Sequence, residues 1–328
     1  MIGAHNPAQA ARARALIVLR WIAALVVLYL LIHFLPFAPL RAALSRVPGT
    51  RFLLALIAYL AAHTLGVAKW RMVVNTAGGE LDFATSTQCY AGGLFGTLFL
   101  PSIIGGDVVR LAVGLRRSPR PASVLAGNIV DRSLDVAAQG ALALTGLILL
   151  PGSLPPVAQA AARHLVTAFV VVLAILAVAV FLLRGVVFRK RSIRFRRKLA
   201  HFRYGLRSVV RRPHVLLVGW CMGIVVQGTF LFFNALLAVS CGLILPLRAW
   251  LFAWPLAKVA ALVPVTQGGI GVREAALVAL LAPFGAPGAL VLAAGLVWEG
   301  VIISGGLFGG LVAFLLRRTR EREESATG

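Results

Sequence analysis

The sequence predicts an all-α polytopic membrane protein of two inverted-topology repeats, with about six full spans and two re-entrant broken-helix hairpins, eight segments if the hairpins count as spans. Three observations lead there. The 328 residues are 60% hydrophobic and only 13% charged, with a mean hydropathy of +0.91, outside the range of ordinary soluble domains. The basic residues cluster between apolar runs and differ sharply from one loop to the next. A short Pro-Gly-Gly-Arg pattern occurs twice, displaced by 163 residues.

A helix needs roughly 20 apolar residues to cross about 30 Å of hydrocarbon. Six runs meet that length: Leu16–Leu35, Phe52–Val74, Ala122–Leu150, Leu165–Leu183, Val215–Gly242 and Ala289–Leu316. The first is long for a signal sequence and lacks a clear cleavage site, so a retained helix is expected. Residues 184–212 hold twelve Lys or Arg and no acid, whereas the Pro-rich linker 151–164 holds only Arg163. The positive-inside rule makes the first cytoplasmic and the second external. A basic N-terminus inside then sends the first helix out and the second back, leaving Lys69 and Arg71 at the cytoplasmic end.

The next segment conflicts with a simple crossing. Tyr90–Ser102 contains no charge, yet Gly105, Gly106, Asp107 and Arg110 follow at once. If 88–104 crossed fully, Arg110, Arg116, Arg117 and Arg120 would lie outside, and the span that must end outside at Pro151 would also start there. A hairpin entering from the cytoplasm and turning back inside the membrane removes the contradiction. The same reasoning makes 250–284 a hairpin from the opposite face. Irregular backbone at that depth requires protein or water to satisfy it.

The two hairpins repeat each other. P-S-I-I-G-G-D-V-V-R at 101–110 and P-V-T-Q-G-G-I-G-V-R at 264–273 share Pro, Gly, Gly, Val and Arg at identical offsets. The displacement also carries Phe52 onto Val215 and 122–150 onto 285–313. Repeat 1 then covers about 15–150, and repeat 2 about 165–316 with a cytoplasmic basic loop at 184–214. A cytoplasmic tail, 317–328, completes a single membrane domain, 1–328. Inverted repeats of this kind build central sites from broken helices in secondary transporters.

The chemistry follows from the tips. Gly105 and Gly106 permit positive φ and close backbone approach, and a helix starting near Asp107 would present free N–H groups to an anion. Gly268, Gly269 and Gly271 do the same ahead of a helix starting near Val272. Arg110 and Arg273 sit in or near the first turn, with Asp107 and Glu274 as local partners. Two helix termini and two guanidiniums would converge on one phosphate. The alternative is a pair of local ion pairs that stabilise the hairpins.

Three further features stand out. In N-I-V-D-R-S-L-D, Asn128, Asp131 and Asp135 share one helix face while Arg132 points about 100° away. Glu299 stands among apolar residues either as a candidate protonation site or as a structural partner for Lys258 or Arg273, and Lys258, on the entering arm of the second hairpin, is the obvious counter-charge. Asp131 and Asp135 are alternative proton carriers or charge partners. G-G-L-F-G-G at 305–310 reads as a close helix-packing face. Residues 184–212 alternate arginines with Phe188, Phe195, Phe202 and Leu206, either as an amphipathic surface helix or as a solvated loop.

The net charge of +23 is spread over loops, as topology and anionic lipid require, and nucleic acid is not expected. Cys89, Cys221 and Cys241 have neither disulfide nor zinc spacing. No metal and no cofactor are expected.

P-x-x-x-G-G-D-x-x-R, then D-R-x-x-D, then P-x-x-x-G-G-I-G-V-R-E resemble the lysylphosphatidylglycerol synthase transmembrane region family, the flippase-like domain proteins. The resemblance runs from about residue 15 to 316. It implies a helical bundle of two inverted repeats that translocates a phospholipid. Its substrate site would fall on Gly105, Gly106, Asp107, Arg110, Asp131, Arg132, Gly268, Gly269, Gly271, Arg273 and Glu274. Twelve residues follow Leu316, so no aminoacyl-transferase domain and no lysyl transfer are expected.

The expectation is a non-enzymatic flippase of the bacterial inner membrane with cytoplasmic termini, acting on a phosphate-bearing lipid of phospho- or polyprenyl type. Rival readings are a scaffold for a lipid-modifying enzyme and a lipid-phosphate transferase using D-R-S-L-D.

Overall fold

The computed structural model describes residues 29, 37–100, 105–150, 193–261, 266 and 268–327. The expected spans Leu16–Leu35 and Leu165–Leu183, the linker 151–164 and the first part of the basic loop lie outside them. Among the described residues the protein is all-helical. In chain order the helices are α1 (Phe37–Ser45), α2 (Gly49–Thr76), α3 (Phe83–Thr97), α4 (Gly105–Arg117), α5 (Pro121–Ile148), α6 (Ile193–Val210), α7 (Pro213–Ser240), α8 (Leu247–Ala260), α9 (Val272–Leu281) and α10 (Gly288–Thr327), with a 3-10 turn at Ala282–Phe284.

Length separates two kinds of helix. Among the described residues α2, α7 and the first 32 residues of α10 are long and apolar enough to cross a membrane. The helix α5 matches α2 in length at 28 residues, but Asp131, Arg132 and Asp135 lower its hydropathy. By contrast α3, α4, α8 and α9 have 15, 13, 14 and 10 residues. At about 1.5 Å per residue each falls well short of a hydrocarbon core of roughly 30 Å. They pack as two pairs, α3 on α4 and α8 on α9.

The helix pairs recur between the halves. Contacts of α2 with α5, α2 with α3 and α4 with α5 are matched by α7 with α10, α7 with α8 and α9 with α10. Across the halves α3 packs on α10 as α8 packs on α5, α1 on α10 as α6 on α5, and α2 meets α7. The helix ends match too. Gly78 (φ 92) follows α2 and Gly242 (φ 89) follows α7. In both cases the next residue donates its N–H back five residues, from Gly79 to Val74 and from Leu243 to Ala238. A left-handed residue is what closes a helix in this way, and glycine adopts it without a Cβ penalty.

Aromatic and aliphatic side chains from α7, α8, α9 and α10 form the largest core, with Trp250, Trp254, Trp298, Leu237, Leu277 and Leu292 buried. Small residues set the close crossings. A Cβ on Gly146 of α5 would stand 2.4 Å from the Phe252 nitrogen of α8, and one on Gly309 of α10 would stand 2.9 Å from the Ala91 carbonyl of α3. Gly305 and Gly310 likewise leave room for Tyr59 and Phe95, so the glycine run at 305–310 packs as its spacing predicts. The basic segment forms α6, which buries Phe202 and Leu206 against Ala126 and Val209 against Ala77. Tyr204 remains exposed on its outer side.

Candidate functional site

The two short-helix pairs meet at their turns, where the Gly268 N–H donates to the Leu100 carbonyl over 3.4 Å. Around this point lies a cleft with about 770 Å³ of empty space. One side presents Gly106, Asp107 and Arg110 of α4 with Arg132 of α5; the other presents Lys258 of α8, Gly268 and Arg273 of α9. Tyr59, His63, Tyr90, Phe230, Trp254 and Trp298 supply an aromatic wall. The described charged residues that line the cleft are four cations and a single carboxylate.

The first ionic cluster joins α2, α4 and α5. Arg110 donates to Asn128 Oδ1 over 2.9 Å and lies 3.1 Å from Asp107 and 3.4 Å from Asp131. Asn128 is held in turn by the Trp70 indole N–H at 3.0 Å. Arg132 reaches Asp131 at 3.0 Å, Asp135 at 2.6 Å and Asp107 at 3.4 Å. Lys69 bridges Asp131 at 3.0 Å and also contacts Asp135. Three cations and three carboxylates therefore interlock. The Arg110 guanidinium also lies 5.3 Å from the Trp70 ring centre and 5.1 Å from that of Tyr90, within cation–π range.

The second cluster is smaller. Arg273 contacts Glu274 at 2.5 Å and Glu299 at 2.7 Å, one cation between two carboxylates. The other oxygen of Glu274 accepts the Gly271 N–H at 2.7 Å, which caps α9 from within. Lys258 stands apart: its ammonium donates to Gln227 Oε1 at 2.7 Å and lies 5.2 Å from the Phe230 ring.

Four expectations are corrected. Of the two partners expected for Glu299, the structure gives it Arg273 and not Lys258, because α9 sets the guanidinium between Glu274 and α10. Gly105 and Gly106 do not adopt positive φ but are already helical in α4, ahead of the start expected near Asp107. Their role is close approach: a Cβ on Gly106 would lie 2.4 Å from the Gly93 carbonyl and 2.2 Å from Thr97 Oγ1. Gly268, Gly269 and Gly271 do have positive φ, of 60, 79 and 83, yet one N–H expected for an anion is already taken by Glu274. Finally, Arg132 does not point away from the acidic face; its long stem folds back across Asp131 and Asp135.

Asp107, Arg110, Asp131, Arg132 and Asp135 thus form one group, and Arg273, Glu274 and Glu299 another, with Gly106 and Gly268 at the shared cleft. Lys69 was placed at a helix end by the loop-charge argument, but it is 2% exposed inside the bundle. A lone lysine in the G-V-A-K-W stretch of an apolar span was the available signal. Gln227 and His63 carry no motif that marks them. Burying these groups is costly without close partners, and each cluster supplies them.

A comparison with curated proteins finds no match. The family model described as the lysylphosphatidylglycerol synthase TM region matches residues 13–310, and the chain belongs to that family.

Proposed function

We propose that the protein is a flippase that moves a phosphate-bearing lipid of phospho- or polyprenyl type across the bacterial inner membrane, without covalent chemistry of its own. The observation that carries this reading is the cleft between the two turns, where Arg110, Arg132, Lys258 and Arg273 face Asp107 alone among the described carboxylates. The balancing acids Asp131, Asp135, Glu274 and Glu299 lie behind the cations. An anionic headgroup entering here meets positive groups first, and guanidiniums suit phosphate oxygens.

The inverted repeat belongs to this proposal. Its support is the shared motif, the matching helix caps and the recurrence of the same helix pairs in both halves. Two such units with the cleft between them suit alternating access by rocking of one against the other. A phosphate that engages Arg273 competes with Glu274 and Glu299 for its guanidinium. The carboxylate released is then the group that takes up a proton, which couples translocation to proton movement. Both termini lie in the cytoplasm, and a lipid-modifying enzyme supplies or consumes the substrate.

The test is an assay of headgroup exposure in proteoliposomes, with dioleoyl phosphatidylethanolamine carrying a fluorescent headgroup. Arg110→Ala with Arg273→Ala should abolish transport, and Lys258→Met, which orphans no carboxylate within salt-bridge distance, should slow it by about tenfold, equivalent to roughly 1.4 kcal/mol in the barrier. Wild-type rates from a folded double variant and from Lys258→Met would overturn the mechanism.

A further inference from the structure

A second cavity adjoins the charged cleft. It runs between α2, α3 and α10 as an open groove, lined by Leu60, Thr64, Thr87, Ala91, Phe308 and Val312 among others. His63, Tyr90 and Leu94 line both spaces and form the partition between them. At the outer rim Phe83 is 52% exposed and Phe308 50%, so the groove opens on the side of the bundle.

Its surface suits hydrocarbon. Both threonine hydroxyls turn back on their own helices, Thr64 to the Leu60 carbonyl at 3.0 Å and Thr87 to the Phe83 carbonyl at 2.8 Å. That satisfies the hydroxyls within the helix and leaves the methyl groups as the apolar part of each side chain.

The partition is built to meet a polar link. Both His63 nitrogens are buried and lack a hydrogen-bond partner among the described residues. The ring is held between Tyr59 at 4.3 Å and Phe230 at 5.0 Å between centroids. Buried polar atoms are ordinarily paired, so an imidazole left open between a charged space and an apolar one marks where a ligand changes character.

We propose that this groove holds one hydrocarbon chain, acyl or prenyl, of the translocated lipid, and that His63 hydrogen-bonds the ester or phosphoester oxygens joining the chain to the headgroup. The proposal rests on the flippase reading and names the substrate class it implies: a lipid whose phosphate occupies the cleft while one chain stays in the lateral groove.

Filling the groove tests it. In proteoliposomes of phosphatidylethanolamine and phosphatidylglycerol, Thr87→Trp should lower headgroup-label translocation by about tenfold. Binding of dihexanoyl phosphatidylglycerol in detergent, whose chains are too short to fill the groove, should stay within about twofold of wild type, under 0.5 kcal/mol. His63→Phe should weaken dihexanoyl phosphatidylglycerol but not inorganic phosphate; equal effects on both overturn the role of His63.

Wild-type translocation by Thr87→Trp, with Lys258→Met impaired, overturns the groove and leaves the flippase reading standing. Wild-type rates in both overturn both. If Thr87→Trp loses short-chain binding as well, Val312→Trp fills the same space from α10. Loss of translocation alone in that variant supports the groove, and either loss of both or loss of neither overturns it.

Discussion

The two turns carry the same five-residue signature and use it differently. In the first, Gly105 and Gly106 are helical and let α4 press against Gly93 of α3. In the second, the glycines stand at positive φ and delay the helix until Val272. After the shared Gly-Gly the two copies differ, Asp107 standing against Ile270 and Val108 against Gly271. The charge balance differs in parallel. The first cluster sets three cations against three carboxylates; the second sets Arg273 against Glu274 and Glu299. A shared motif thus fixes where the arginine sits and leaves open how it is neutralised.

The largest expected effect comes from the sparse cluster. Arg273→Met leaves Glu274 and Glu299 buried without a cation, and should cost about 3–5 kcal/mol of stability. Thermal unfolding in detergent measures it, and adding Glu299→Gln should recover a substantial part in a double-mutant cycle. Full additivity would break the claim that these two groups pair.

In the interlocked cluster, Asp131→Asn leaves Asp107 and Asp135 to serve three cations. The expected loss is smaller, about 1–3 kcal/mol. A cost equal to that of Arg273→Met would erase the contrast between the clusters.

The glycines offer a finer comparison. Gly106→Ala forces α3 and α4 apart and should cost about 1–3 kcal/mol through overpacking. Gly271→Ala meets strain in the backbone itself, at φ 83 and ψ −44, close to a rare γ-turn conformation, and should cost about 1–3 kcal/mol. Shortening Thr97 to alanine should ease the first and leave the second untouched, as melting curves of the paired variants would report.

The smallest stability effect belongs to Lys258→Met, at about 1 kcal/mol or less, since the hydrogen bond to Gln227 and the cation–π contacts with Phe230 and Trp254 are lost while no carboxylate is orphaned. Loss of transport from a variant this stable would separate binding from folding. Unfolding comparable to that of Arg273→Met would assign Lys258 a structural role instead.

Much of the fold was legible because membrane sequences advertise it: apolar length marks α2, α7 and α10, and the charges that interrupt the other apolar stretches mark shorter helices. The short helices α3, α4, α8 and α9 followed from that bookkeeping and from the repeated motif. The motif also located Arg110 and Arg273. Side-chain partners were less legible, because a residue's neighbours across helices depend on rotation about each axis, which spacing along one helix does not report. Spacing alone therefore leaves open whether Lys258 or Arg273 meets Glu299, turns Arg132 away from the acids it grips, and gives no sign that Lys69 closes the first cluster. The glycines of the first turn are ambiguous for a related reason: a Gly-Gly pair serves a left-handed turn and a close approach equally well, and only the packing of Gly93 against Gly106 distinguishes them.

The contact between the Gly268 N–H and the Leu100 carbonyl has a consequence for divergence. It is made by main chain on both sides, so apart from proline at position 268 no side-chain exchange removes its donor or its acceptor. The side chains lining the cleft can therefore differ between the two sides, three ion pairs on one and a single arginine on the other, without touching the contact that joins the two turns.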